Sequence, residues 1–232
     1  MADPELLILP AYDEAERLPG LLAELRRTLP GLELLVIDDG SRDGTAAAAA
    51  RAGAHVVRHP FNLGYGAALQ TGYKYALARG VERLVQMDAD GQHLPSEIPG
   101  LLEPLRSGAC DLVLGSRFLE PSDYRMGALR SLGRHLFRAL ARAAGLAITD
   151  PTSGFQAMNR RALELFAGDW YPSDYPDVDV LVLATRAGLR LREHPVRMAP
   201  GGRPSTLHSG WKPLYYVYKM VLSMWAATAK RP

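Results

Sequence analysis

The sequence contains a single cysteine, Cys110, in 232 residues. One thiol excludes an internal disulfide framework and suits a reducing compartment. Cys110 follows a polar turn and opens the apolar run CDLVLGS, the setting of a structural thiol rather than a nucleophile. No Gly-x-Gly-x-x-Gly follows the first apolar run, which disfavours a dinucleotide cofactor, and no glycine-rich segment carries the lysine of a P-loop. Net charge is also scarce, at +2, and gives no general reason to expect nucleic acid as a partner. The N-terminus MADPELLILP lacks a basic region and a long apolar core, so no signal peptide is expected. Through about residue 210 there is no run long enough to cross a bilayer.

What remains is an ordinary soluble profile, 47% hydrophobic and 22% charged, sized for one large α/β domain or two small ones. Short apolar runs alternate with segments of helical period. Strands are predicted at 6–9, 32–38, 54–58, 83–88 and 111–118, with helices over 15–29, 46–50, 64–79 and 96–107 between them. The strand runs are apolar throughout rather than alternating, so the fold class is α/β, with a mostly parallel central sheet and helices on both faces. Beyond residue 120 the pattern loosens into helices near 127–145, 159–167 and 177–188 and a strand near 189–198. The stretch APGGRPSTLHSG (199–210) reads as a loop. No linker or internal repeat is evident.

In parallel sheets ligands bind beyond the carboxyl ends of the strands. Polar clusters fall there: Pro10–Glu14, Asp38–Ser41, Asp88–Gln92 and Ser116–Arg117. Four clusters at equivalent strand ends argue for one site. The most unusual is MDADGQHLP, with Asp88 and Asp90 one residue apart. An EF-hand counted from Asp88 would need glycine at its sixth position and glutamate at its twelfth, but His93 and Pro99 stand there. A phosphatase of the haloacid dehalogenase type normally has threonine after its Asp-x-Asp-Gly and uses its first strand; here Gln92 follows, on the fourth. A turn whose aspartates cap the next helix remains open. So does a hard divalent cation held by carboxylate and amide oxygens while bound to a diphosphate. In VIDDGSRDGT (36–45), two aspartates suit ribose hydroxyls or a base, or simply a turn; Gly40 permits a tight turn and Asp43 suits a helix cap. Glycines 64, 66 and 72 suit close helix packing or approach of the loop to a sugar.

The segments LPAYDEAERL, VIDDGSRDGT, NLGYGAALQTGY, MDADGQHLP, LVLGSRF and DPTSGF occur in this order. Together they resemble family 2 glycosyltransferases of the GT-A fold, in the branch similar to dolichol-phosphate mannosyltransferase and bacterial polyprenyl-phosphate glycosyltransferases. The resemblance covers residues 5 to about 198 and implies a catalytic domain over 1–210. It implies that Pro10, Tyr12 and Glu14 line the nucleoside pocket, with Asp39 on base or ribose. Asp88 and the adjoining Ala89 would meet ribose or sugar, and Asp88, Asp90 and Gln92 would hold Mg2+ or Mn2+ at the diphosphate. Arg117 would face a phosphate or the acceptor as a catalytic group. The family's acidic base falls at Asp177 or Asp179, of which Asp179 opens the helix; a carboxylate favoured there by the helix macrodipole is the competing reading. Arg203 resembles a mobile arginine that closes on the diphosphate, although its spacing to the following serine departs from the usual pattern. His208 reads as a loop residue. Asp13 also departs from the family, which commonly has asparagine there.

Two further stretches bear on the acceptor. Arg130, Arg134, Arg138 and Arg142 recur every four residues beside Leu129, Leu132, Leu136 and Leu140, as on a basic helix lying on an anionic membrane or as a solvated face on a core-packed helix. Residues 211–232 are mostly apolar, with Trp211, Tyr215, Tyr216, Tyr218 and Trp225 and flanking Lys212, Lys230 and Arg231. That suits an amphipathic interfacial helix, with core packing as the rival reading.

The resulting expectation is an inverting, metal-dependent enzyme. It moves a hexose from GDP-mannose or a UDP-hexose to a polyprenyl or dolichyl phosphate. Its partners would be the nucleotide-sugar donor, the lipid-phosphate acceptor, the membrane surface and a small membrane protein, with no nucleic acid, at the cytoplasmic face of the membrane. The alternatives are transfer to a saccharide or other hydroxyl, and a catalytically silent scaffold subunit that binds nucleotide-sugar. Deleting residues 211–232 is expected to reduce both flotation with anionic vesicles and lipid glycosylation. Equal values for the truncated and full chains would refute a membrane role for that segment.

Overall fold

The computed structural model describes residues 4–119, 139, 142 and 145–199. The helix expected over 127–145, the loop containing Arg203 and His208, and the segment 211–232 lie outside the described residues, apart from Ala139, Arg142, Gly145 and Ala199. The described chain runs β1 (Glu5–Ala11), α1 (Leu18–Thr28), β2 (Glu33–Asp38), α2 (Thr45–Arg51), β3 (His55–Arg58), α3 (Tyr65–Ala78) and β4 (Arg83–Gln86). A 3-10 turn (Pro95–Glu97) leads into α4 (Ile98–Arg106), followed by β5 (Leu112–Ser116). After residue 145 come β6 (Gln156–Asn159), α5 (Arg160–Phe166), α6 (Val178–Arg186) and β7 (Leu191–Pro195).

The strands form one seven-stranded sheet in the order β3-β2-β1-β4-β6-β5-β7. β1 pairs in parallel with β2 and β4, β2 with β3, and β5 with β7. The mostly parallel expectation therefore holds, and β6 is the exception, antiparallel to both β4 and β5. The sequence pattern predicts no strand over 156–159. Gln-Ala-Met-Asn is too short and too mixed in polarity to announce one, and its strand pairing is supplied by β4 and β5 on either side.

Alternation along β1 explains the two-sided core. Leu6 and Ile8 enter one buried cluster with Leu69 and Tyr73 of α3, Leu163 and Phe166 of α5 and Leu181 of α6. Leu7 and Leu9 enter the other with Leu18, Leu22 and Leu25 of α1 and Ile98, Leu101 and Leu102 of α4. Each helix buries its apolar stripe on the sheet, as its period predicts. The alanine run becomes α2, whose Ala48 and Ala49 are buried. Gly72 shows why α3 lies so close to the sheet: a Cβ there would sit 2.9 Å from Ile8 Cδ1 and 3.1 Å from Ile37 Cδ1. Cys110 is buried, and burial pushes its thiol up, as a structural cysteine requires. Among the described residues, no helix is long and apolar enough to cross a membrane.

Chain order reverses between β1 and β4, so the topological switch point lies where these two strands end. Ligands of open α/β sheets bind at such a crevice. Pro10 helps to open it. Their last register pair is Ile8 with Gln86, and Pro10 lies beyond it on the same side of β1. Its missing N–H therefore costs no ladder bond to β4.

At the opposite end of the sheet, Asp111 ties three elements together. Its carboxylate accepts from the backbone N of Arg190 (2.8 Å), from Arg190 Nε and Nη2 (3.1 Å each) and from Asn159 Nδ2 (3.0 Å). The Arg190 side chain is the largest cause holding this carboxyl well below the usual carboxylate range, and burial opposes it. A carboxyl depressed in the folded state stabilises above its unfolded pKa of about 3.9, and that contribution is lost as pH falls through the folded value. Asp111→Ala is therefore expected to lower the melting temperature by a few degrees at pH 7. Urea midpoints for the two chains should converge as pH falls below about 4. A gap that persists undiminished at pH 3 would refute the ionic origin.

Candidate active site

The turn after β1 is built by the turn after β2. Asp13 N donates to Ser41 Oγ (3.0 Å), Glu14 N to Thr45 Oγ1 (2.9 Å) and Ala15 N to Asp43 Oδ2 (3.0 Å). Asp43 also accepts the amide of Thr45, the first residue of α2, at 3.0 Å; the cap position itself is Gly44, which has no capping side chain, so Asp43 closes the turn before the helix rather than capping it. Asp13 has φ of +55° and accepts the Arg42 amide at 2.8 Å. Asparagine and aspartate are the side chains that best tolerate this left-handed conformation. The departure from asparagine thus keeps the turn and leaves the extra charge exposed.

These ties place Pro10 buried under the crevice, Tyr12 exposed at its rim, and Glu14 half-buried against Arg17 Nη1 at 3.1 Å. Burial raises the Glu14 carboxyl above its ordinary value; Arg17 opposes the shift, while Asp90 and Asp43 add to it. Asp38 and Asp39 are buried and engaged within the protein. Asp38 accepts the Ser41 amide (2.9 Å) and pairs with Arg58 Nε (3.1 Å). Asp39 Oδ1 meets His59 Nδ1 (2.7 Å) and the Leu63 amide (2.9 Å), and Oδ2 accepts the Gly64 amide (3.0 Å). Asp39 therefore organises the 61–64 loop, a role its motif did not reveal. Gly40, at φ +73°, carries that loop at close range: a Cβ would lie 2.4 Å from the Phe61 carbonyl carbon.

Across the crevice, β4 delivers Asp88, Ala89, Asp90 and Gln92. Ala89 is buried in the core on the α4 side. Asp88 Oδ1 accepts from Tyr65 Oη (2.7 Å), and His93 Nε2 lies 3.5 Å from Oδ2. Burial pushes the Asp88 carboxyl up, but His93, Tyr65 and Arg117 together hold it below its ordinary value. Asp90 is treated differently. Its Oδ1 accepts only the Gln92 amide (2.9 Å), and among the described residues its Oδ2 accepts nothing. Burial raises the Asp90 carboxyl and the charge of Asp88 adds to that, against the Gln92 amide, His93 and Arg17. The Gln92 side chain makes no hydrogen bond among the described residues, while its carbonyl accepts the Ala199 amide (2.9 Å).

The third wall is the loop 149–155, which precedes β6. Arg117 Nε and Nη2 fork onto Asp150 Oδ2 (2.6 Å) and Oδ1 (2.7 Å), and the Arg117 amide also donates to Asp150 (3.1 Å). Asp150 is fully buried. Its loop is held by Glu193 of β7, whose carboxylate accepts from Thr149 N (2.9 Å), Thr149 Oγ1 (2.8 Å) and Asp150 N (2.9 Å). At the other end of the loop, a Cβ on Gly154 would sit 2.9 Å from Asp88 Oδ2 and 3.0 Å from Tyr65 Oη. One loop thus shapes the surroundings of both Arg117 and Asp88.

Asp177 and Asp179 begin α6, and Asp179 Oδ1 accepts the Asp177 amide at 3.2 Å. The charge of Asp177 reaches Tyr65, whereas that of Asp179 reaches Tyr171. Glycines 64 and 66 serve close packing of α3: Cβ atoms there would meet the carbonyl oxygens of Ser173 (2.6 Å) and Pro172 (2.0 Å). Arg203 lies outside the described residues. Sequence reading missed Tyr65, Asp150, Gly154 and Glu193 as parts of the site and counted His93 only as a mismatch. Three of the first four lie inside quoted motifs; Glu193, in an ordinary strand, carries no local signal.

The donor set at Asp88–Gln92 consists of hard oxygens, and among the described residues no group of three or more His, Cys, Asp or Glu could hold a metal unaided. Hard oxygens of this kind suit a cation that takes one or two protein carboxylates and completes its shell from a diphosphate. The half-buried Asp90, short of donors and raised by burial and by the charge of Asp88, is the position that a cation would relieve.

The model of glycosyl transferase family 2 matches residues 6–166. The polyprenol monophosphomannose synthase of Mycolicibacterium smegmatis is 36% identical over 173 residues, covering 68% of this chain and 63% of that protein. The undecaprenyl-phosphate mannosyltransferase of Micrococcus luteus is 35% identical over 206 residues, covering 82% of each. This chain therefore spans less than two thirds of the first relative and most of the second. Among solved structures, glucosyl-3-phosphoglycerate synthase of Mycobacterium tuberculosis with Mn2+ and UDP-glucose matches with a TM-score of 0.72 and 26% identity, over 96% of this chain and 79% of that one. From the family match, the two relatives above 30% identity and the shared architecture, the chain belongs to glycosyl transferase family 2 and is a glycosyltransferase of the GT-A fold.

Proposed function

We propose that the chain transfers a hexose, with inversion, from GDP-mannose or a UDP-hexose to a polyprenyl-type lipid phosphate at the cytoplasmic face of a membrane. The observation that carries this reading is the division of labour at the switch point. Asp88 is engaged by the protein, Asp90 is left open, and a forked arginine, Arg117, belongs to the same site. The printed activities of the mycobacterial and Micrococcus relatives support the lipid-phosphate acceptor.

In this reading the nucleoside lies over Pro10 and Tyr12, with Glu14 and the remaining acceptor capacity of Asp39 Oδ2 available to base or ribose. Asp88 accepts from a ribose or hexose hydroxyl beside Ala89. Asp90, with the side-chain Oε1 of Gln92, would hold Mg2+ or Mn2+, which when bound supplies positive charge for the departing diphosphate. Arg117 draws the acceptor phosphate, and the buried carboxylate of Asp150 keeps its guanidinium in one plane. Arg203 is proposed to close over the diphosphate. A phosphate acceptor is already ionised and needs no general base, so Asp179 would serve as base only for a hydroxyl acceptor. Residues 211–232 would attach the enzyme to the bilayer, with a small membrane protein as a further partner.

Nucleotide-sugars tested with Mn2+ for thermal stabilisation should yield one donor that raises the melting temperature, because ligands of the native state stabilise by mass action. Asp90→Ala is expected to abolish the Mn2+-dependent part of that shift and to lower transfer by roughly a hundredfold or more. Unchanged transfer would refute the metal assignment, and Mn2+-dependent binding without turnover on any acceptor would favour the scaffold reading. Gly154→Ala is expected to cut transfer about tenfold or more, because its methyl group would occupy the space of the Asp88 carboxylate and small displacements at a reacting site are costly. Wild-type transfer rates in that variant would show that Asp88 does not need this placement.

A further inference from the structure

Tyr65 and His93 take no part in the scheme above, yet each meets one oxygen of Asp88. Their own placement is tightly determined. Tyr65 is the first residue of α3, whose start is fixed by the Gly66 and Ala67 amides donating to Asp174 O (2.7 Å) and Ser173 O (2.9 Å). That approach requires the bare Cα atoms of Gly64 and Gly66. Burial, followed by the charge of Asp88, pushes the Tyr65 phenol well above its usual range, so it is a neutral donor at physiological pH. His93 is only 5% exposed, with its ring 4.7 Å from that of Phe155. Its Nδ1 is buried and finds no hydrogen-bond partner among the described residues. An apolar side chain would fill this place against Phe155 without stranding a polar atom. What only an imidazole supplies here is Nε2 beside Asp88.

We propose that Tyr65 and His93 are positioning residues that hold the Asp88 carboxylate in one orientation, so that it accepts from a donor hydroxyl while Asp90, with the Gln92 side chain, faces the cation. This rests on the proposed contact between Asp88 and the ribose or hexose of the donor. Tyr65 Oη takes Oδ1, His93 Nε2 flanks Oδ2, and the bare Cα of Gly154 closes the third side. The carboxylate is thereby aimed before the substrate arrives, and no ordering of its rotamer is left to the binding step.

The test is a double-mutant cycle in donor affinity, by calorimetric titration of GDP-mannose and UDP-glucose in Mn2+. Tyr65→Phe keeps the ring and removes only the hydroxyl. It is expected to weaken binding of the preferred donor about tenfold, the scale of a lost hydrogen bond to a charged group. Asp88→Ala should weaken it at least as much. In the Asp88→Ala chain, Tyr65→Phe should add less than twofold. His93→Leu, which fills the place against Phe155 without a donor, should repeat the pattern and serves alone should Tyr65→Phe fail to fold, as judged by its melting transition. Donor affinity within twofold of wild type in both single variants, or equal losses with and without Asp88, would overturn the positioning role. A wild-type chain that binds neither donor would instead overturn the proposed function, and this inference with it.

Discussion

Three carboxylates, from Glu14, Asp88 and Asp90, gather where β1 and β4 end, and the rest of the site follows from how their mutual repulsion is managed. The protein does not neutralise them equally. Glu14 receives Arg17, and Asp88 receives Tyr65, His93 and the field of Arg117. Asp90 receives one backbone amide and, beyond it, only the fields of His93 and Arg17. Leaving a half-buried carboxylate short of donors costs free energy unless something else arrives. In a glycosyltransferase, that arrangement favours a cation delivered with a diphosphate over a site closed by protein ligands alone.

The means of holding this asymmetry lie mostly outside the acidic motif. The antiparallel insertion of β6 between β4 and β5 brings the loop 149–155 against both strand ends. Asp150 then forks Arg117, Gly154 makes room for Asp88, and Glu193 of β7 fastens the loop from beyond β5. A buried bidentate pair is of uncertain net value for stability, but its geometry fixes a guanidinium plane. Stability is supplied elsewhere, by the two apolar layers and by Asp111 at the far end of the sheet. The catalytic end is therefore free to carry strained and unpaired features, among them the left-handed Asp13 and the orphaned Nδ1 of His93.

Most of the fold was legible in the sequence because its signals are local and repetitive. Leu18, Leu21, Leu22 and Leu25 announce α1 by period alone, and the runs around Leu7, Val36 and Val113 announce covered strands. The missed element, β6, has no such signal, since four residues of mixed polarity are held as a strand by tertiary pairing with β4 and β5 rather than by their own pattern. Site residues divide in the same way. Asp88, Asp90, Gln92 and Arg117 were singled out because they stand at strand ends in recognisable spacing. Tyr65 was passed over because its motif draws attention to its glycines, and Glu193 because an acid in an edge strand looks like a solvated face.

The order of alternating elements, the covered parallel sheet and the resemblance to a glycosyltransferase family were settled by the sequence itself. They rest on interactions among residues close in the chain and on segments whose chemistry is readable in place. Which of two neighbouring aspartates is held and which is left open was decided only by tertiary structure. Asp88 and Asp90 have the same side chain one residue apart. Their difference comes from Tyr65, His93, Arg117 and Gly154, most of them far away in sequence, and from a dielectric environment that exists only after the sheet has closed around them.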